Sequence, residues 1–265
     1  MNMNQNANLP QSKHVVVNLT QQNNNQINQQ MYPYKLLVVR RQANLELVQQ
    51  GLATKSNNYI STFKQVKNDG KKAFFKGYLP YLLNQYLYAL IYYLPERKRE
   101  NVNIQILIDI FSASIVYPFQ LVSNLLACQP GSSGGQIKSM MKTIQEIKDK
   151  QNKLNFYKGF SLFLIGYLTQ SAFMNYLQFS DYTEQMPLWL YPLILFKHPI
   201  ETLRLRLILS KNTDMSLKNI TNYVLQTSKK ESPISFFAGC IPQYAFYAIC
   251  GIIRQSEITD MKHNN

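Results

Sequence analysis

The chain has 265 residues, with 28 Lys and Arg against 14 Asp and Glu, for a net charge of +14. Its three cysteines, Cys128, Cys240 and Cys250, lack the number and spacing of a disulfide framework or a metal cluster and read as small packing residues. Mean hydropathy is slightly negative at −0.23, which suggests a soluble protein. However, a polar N-terminus and basic loops lower an average that hides several long apolar stretches.

Residues 1–31 form a polar, Asn/Gln-rich segment. Side-chain amides are costly to bury in lipid, so this tract reads as a disordered tail or as a segment packed against protein rather than lipid. The first 45 residues hold no acid, yet no Arg-rich amphipathic stretch marks a transit peptide. Then comes Pro33-Tyr34-Lys35-Leu36-Leu37-Val38-Val39-Arg40, followed by a basic loop in which Tyr59, Phe63 and Val66 recur at helical spacing. Asp69-Gly70 precedes Phe75-Lys76-Gly77, and an apolar run over 78–94 follows.

The pattern then repeats. An apolar run over 104–128 contains Pro118-Phe119-Gln120-Leu121-Val122-Ser123. A basic loop follows with Ile137, Met141, Ile144 and Ile147 at helical spacing, then Tyr157-Lys158-Gly159 and an apolar run over 160–179. The third passage has an apolar run over 186–209 with Pro199-Ile200-Glu201-Thr202-Leu203-Arg204-Leu205-Arg206. Leu217, Ile220 and Val224 mark its loop helix, and Phe237-Ala238-Gly239 opens a final run over 236–253. The prolines are 85 and 81 residues apart (118 − 33, 199 − 118), and the motif glycines 82 and 80 (159 − 77, 239 − 159). Two unlike motifs keeping one period indicate an internal threefold repeat.

Each apolar run has about the ~17–25 residues that a membrane-spanning helix needs. Tyr81 to Leu94 is apolar or aromatic nearly all round, unlike a soluble helix with its polar face. Residues 40–76 carry eight Lys/Arg and two acids, 129–158 six and two, and 204–235 six and two, which accounts for the whole net charge. The positive-inside bias therefore predicts all three basic loops on one membrane face and both termini on the other. Bases that alternate with spans do not converge on one groove, so nucleic acid is not expected as a partner. The loop helices are predicted to lie amphipathically in the interface.

The two motifs together resemble those of the mitochondrial carrier family, over about residues 32–257. The resemblance implies an all-α membrane protein of six transmembrane helices in three pseudo-threefold repeats, with short amphipathic matrix-side helices. The repeats would be 32–100, 101–183 and 184–265, after the polar segment 1–31. It further implies a multi-pass protein of the mitochondrial inner membrane, with both termini toward the intermembrane space. No enzyme activity is expected, and no cofactor apart from structural cardiolipin.

The family binds cardiolipin at the aromatic-base-Gly motifs, which gives Phe75, Lys76, Gly77, Tyr157, Lys158, Gly159, Phe237 and Gly239 as candidates, the third lacking its base at Ala238. The physical rationale is a helix N-terminus with unpaired N–H groups that suits a phosphate; the alternative is a turn glycine beside an interfacial aromatic. In carriers the acid of each proline motif pairs with the base of the next repeat. Here the pairs would be Lys35 with Ser123, Gln120 with Arg204, and Glu201 with Val38, and none is an ion pair. On the opposite face only Pro95-Glu96-Arg97-Lys98-Arg99 survives of the family's gate. The family's substrate contact points fall on Asn84, Gly166 (with Tyr167) and Phe246, none of them cationic. Anionic substrates favour Arg or Lys in a dry site.

Two functions follow from this pattern. One is a carrier-fold protein that has lost solute exchange and serves as a lipid-binding accessory subunit of a larger respiratory or ATP-synthase assembly. The other is a divergent carrier for a neutral or weakly polar substrate. Asp109, ionisable within an apolar run, is a further functional candidate. The Gly131–Gly135 stretch reads as a connector, and His14, His198 and His263 form no nucleophile–base pair in the sequence.

Overall fold

The structure is a computed structural model and describes residues 32–55, 58–93, 102–129, 136–149, 156–176, 197–210, 215–238 and 240. Among these residues all regular structure is helical. The helices are α1 (Tyr32–Gln49), α2 (Tyr59–Asn68), α3 (Tyr78–Tyr93), α4 (Val102–Cys128), α5 (Gln136–Asp149), α6 (Phe160–Tyr176), α7 (His198–Leu209) and α8 (Leu217–Glu231). Short 3-10 turns at Lys71–Phe75 and Pro233–Phe237 precede two of the motif glycines. The N-terminal segment 1–31, Pro95–Arg99, Gly239, Phe246 and most of the run over 236–253 lie outside the described residues.

The loop helices form as their spacing predicts. Asn58 caps α2 by accepting the Ser61 amide at 2.8 Å, and Ser216 caps α8 by accepting that of Asn219 at 3.4 Å. Such caps each contribute roughly 1 kcal/mol. Val66 of α2 is fully buried while Ile60 on another side is mostly exposed, so the helix is two-faced.

Among the described residues one helix is long and apolar enough to cross a membrane, α4 over Ile106–Cys128; Phe160–Thr169 of α6 is a shorter apolar helix. Pro118 sits inside α4. Proline has no N–H, so the Ser114 carbonyl four residues back loses its helical donor. The Tyr157 hydroxyl donates to that carbonyl at 3.2 Å.

Helices α1, α4 and α7 meet one another at the centre. α1 packs on both others, and Tyr117 and Leu121 of α4 cluster with Ile208 of α7. α3 lies along α4, and α6 along α7, so each of these two helices packs on the helix that carries the next proline motif. The aromatic core is built twice in the same way. Tyr32 packs at a tilt against Tyr78 and Tyr81, both with centroids 5.1 Å away. Tyr117 meets Phe160 at 5.1 Å and Phe163 at 5.2 Å. Those partners stand one and four residues after Gly77 and Gly159 respectively. Burying each such ring contributes about 1.5–3 kcal/mol, and each aromatic pair about 0.5–1.5 more.

Candidate functional site

The site is the inner end of the helix trio, where the proline motifs and the aromatic-base-Gly motifs meet. The residue before each proline ties the two motifs of its repeat together. The Tyr32 hydroxyl donates to the Lys76 carbonyl at 2.5 Å, and the Tyr117 hydroxyl to the Lys158 carbonyl at 2.5 Å. His198 Nε2 lies 2.9 Å from the Ala238 carbonyl, and so acts as the donor there. Each accepting carbonyl belongs to the residue just before a motif glycine. This is a threefold device in which histidine replaces tyrosine once.

The motif glycines are required by their neighbours. Gly77 and Gly159 hold φ of +78° and +80°. A Cβ on Gly77 would stand 2.4 Å from the Ser123 carbonyl oxygen of α4. One on Gly159 would meet Arg204 and Ile208 of α7 at 3.1 and 3.2 Å. Their smallness thus serves helix contact, a reason distinct from the approach of a lipid headgroup. Both still open a helix, accepting amides from Tyr81 at 3.2 Å and Phe163 at 3.1 Å. The motif aromatics face outward to similar degrees, with Phe75 44%, Tyr157 41% and Phe237 48% exposed.

The motif lysines bridge repeats. Lys76 Nζ donates to the Gln129 carbonyl at 3.2 Å. Lys158 Nζ reaches the carbonyls of Ile208 at 3.0 Å and Ser210 at 3.3 Å. A cation on a helix C-terminus meets its negative dipole end. Burial holds the Lys76 ammonium below the usual lysine pKa range; nearby Arg40 adds to this and Asp69 opposes it.

Two arginines, each seven residues after its motif proline, complete the ring. Arg40 donates to the carbonyls of Ala127 at 2.7 Å and Gln129 at 2.8 Å, and pairs with Asp69 at 2.7 Å. Arg206 donates to the carbonyls of Gln42 at 2.9 Å and Ser235 at 3.1 Å, and pairs with Glu231 at 3.2 Å. Gln50 adds a bond to the Leu209 carbonyl at 2.6 Å. Tyr223 of α8 hydrogen-bonds Glu46 of α1, and both burial and that contact push its phenol pKa up. Glu231-Ser232 is the third repeat's counterpart of Asp69-Gly70. Ser232 stands seven residues before Gly239 as Gly70 does before Gly77, and it adopts φ 80°, ψ 153° against Gly70's 97°, 162°. The spacing carried this signal, while the serine concealed it.

The inter-repeat pairs named from the sequence take other partners. Lys35 Nζ stands 3.9 Å from the Tyr81 ring centre. The Ser123 hydroxyl donates to the Gly77 carbonyl at 2.8 Å. Glu201 pairs with Lys197 of its own helix at 3.5 Å. Arg204 is buried between the rings of Tyr117 and Phe163, and its Nε and Nη1 have no hydrogen-bond partner among the described residues. Gln120 is half-buried in α4. Of the contact points, Asn84 donates to the Val116 carbonyl of α4 at 2.9 Å. Gly166 packs against Ile200 and Lys197, and the Tyr167 hydroxyl lies 3.3 Å from that of Tyr88. The side chain of Asp109 falls outside the described residues.

Among the described residues the arrangement is all-helical, with one helix of span length among the three that meet at the centre. The family model for mitochondrial carrier protein matches residues 106–185. Over that stretch, which holds Pro118 and Tyr157-Lys158-Gly159, the chain is similar to the mitochondrial carrier family. Among curated proteins there is no match.

Proposed function

We propose that this carrier-family chain forms six membrane helices in three repeats within the mitochondrial inner membrane, both termini toward the intermembrane space, and no longer exchanges solutes. In this reading it is a structural, cardiolipin-binding accessory subunit of a larger respiratory or ATP-synthase complex. One observation carries it: the residues that should form reversible inter-repeat ion pairs are engaged elsewhere. Lys35 lies on a ring, Ser123 on a backbone carbonyl and Glu201 on its own helix. A two-state gate needs contacts that differ between its states. Cation-to-carbonyl bonds between the repeats hold one state instead. Asn84, a substrate contact position, is likewise engaged with backbone.

Lipid binding draws support from the outward aromatics Phe75 and Tyr157 beside the starts of α3 and α6. Exposed N–H groups at a helix N-terminus suit a phosphate, and the basic loops suit anionic headgroups. A second reading, a carrier for a neutral or weakly polar substrate, is favoured by the facing hydroxyls of Tyr88 and Tyr167. Liposome reconstitution separates the two. The structural reading expects no saturable counter-exchange of nucleotides, phosphate, carboxylates or small neutral solutes, together with co-migration with a large assembly on native gels. Robust exchange that collapses in Glu201→Gln or Arg204→Gln would reverse it.

A further inference from the structure

The ring of cations on helix ends is complete in two repeats and altered in one. Seven residues after the motif proline stand Arg40 and Arg206 in the first and third repeats, and Leu125 in the second. The two arginines are used alike. Arg40 Nε bonds the Ala127 carbonyl and Arg206 Nε that of Gln42, each nine residues after a neighbouring proline (127 − 118, 42 − 33). The matching acceptor for the second repeat is Ile208 (208 − 199). Leucine cannot donate, and Lys158 bonds both Ile208 and Ser210 in its place. Beside this lysine lies a cavity of about 340 Å³, walled by Leu121, Leu125, Cys128, Glu146, Ile147 and Ser210 among others.

We propose that this cavity is a binding site for a small amphipathic organic cation, an alkylguanidinium or alkylammonium, seated as the arginine side chain is in the other two repeats. The aliphatic walls suit an alkyl stem, since long basic side chains bury their stems while the head finds polar partners. The ends of α4 and α7 supply carbonyls with negative dipole character at the head. Glu146 supplies a carboxylate. Its contact with Lys142, at 3.9 Å with both side chains largely exposed, holds it only weakly.

Lys158 is the apparent obstacle, because it already occupies the acceptors. The first repeat removes that objection. There the Gln129 carbonyl accepts from both Arg40 Nη2 at 2.8 Å and Lys76 Nζ at 3.2 Å, with Asp69 beside them. Ser210 is the equivalent carbonyl, eleven residues after its proline (210 − 199, 129 − 118). A lysine, a guanidinium and one carboxylate therefore already share a helix end in this protein.

The test uses the purified full chain in detergent with n-butylguanidinium as the probe, and n-butanol and butyrate as chain-matched controls. Thermal unfolding is expected to shift upward saturably with butylguanidinium and not with the controls. Leu125→Arg should abolish the shift by filling the slot from within. Leu125→Phe should abolish it by volume alone, and Glu146→Gln should weaken apparent affinity several-fold. Because the exposed Glu146 site tolerates change, that variant keeps the test decisive if Leu125→Arg does not fold. An equal shift with butanol, no shift with any probe, or an undiminished shift in Glu146→Gln and Leu125→Phe overturns the proposal. The result does not depend on whether the chain exchanges solutes, so it is separable from the function proposed above.

Discussion

Replacing Ser232 with glycine is expected to stabilise the protein, and the mirror change Gly70→Ala to destabilise it. Ser232 holds φ 80°, ψ 153°, a region essentially reserved for glycine, in which another residue costs of order 1–3 kcal/mol. Its backbone is needed there. Its amide bonds the Ser228 carbonyl and its own carbonyl accepts the Ser235 amide, both at 3.1 Å, turning α8 into the next segment. Glycine relieves the strain but adds freedom to the unfolded chain, a loss of about 0.4–1 kcal/mol. The net gain is about 1 kcal/mol, or roughly a 2–4 °C rise in midpoint for a chain of this size. Gly70 has the same geometry, and nothing lies within 4 Å of a Cβ built on it. A fall in Gly70→Ala would therefore report backbone strain alone. Thermal unfolding in one detergent–cardiolipin mixture, with Ser232→Ala as a near-neutral control, is the assay. A lower or unchanged midpoint in Ser232→Gly refutes the strain argument and the equivalence of the two positions.

Gly77→Ala should abolish folded protein on size-exclusion chromatography, because its Cβ would meet backbone at 2.4 Å. Gly159→Ala meets only side chains at 3.1–3.3 Å, so it should leave a folded but less stable protein. Tyr32→Phe and Tyr117→Phe should each cost about 1–3 kcal/mol of thermal stability by leaving a carbonyl without its donor. An additive double mutant would agree with their separate repeats. Arg40→Gln removes a buried ion pair and two carbonyl bonds, a loss of about 3–5 kcal/mol. It should expose the α4 end to limited proteolysis, which unchanged protection there would contradict.

The proline and glycine motifs were legible because they rest on spacing. Proline and glycine are marked residues, and their period survives when neighbours drift. The loop helices were legible from the spacing of Tyr59, Phe63 and Val66, and Val66 is buried as that pattern requires. The direction of the motif lysines was not legible, because sequence marks a charge near a helix start without showing which way a four-carbon stem turns. Lys76 and Lys158 turn inward to carbonyls, which have no signature in sequence at all. The same blindness hid Tyr32, Tyr117 and His198, whose partners are backbone atoms about forty residues away. Their shared place before proline was the visible clue. The loss of inter-repeat ion pairs was readable directly from Lys35, Gln120 and Ser123; where the orphaned groups went required coordinates.

The uneven distribution of arginine also sets an order of rupture. The α1–α4 seam is fastened by Arg40 and Lys76, and the α1–α7 seam by Arg206 and Gln50. At the α7 end, among the described residues, the cation-to-carbonyl bonds on the α4 side come from Lys158, with no arginine beside it. Under thermal or mechanical load the molecule should part first between α4 and α7, and come apart as one wedge rather than dilating evenly about its axis. Amides along that seam, near Leu121 and Ile208, would then exchange with solvent ahead of those near 40–47.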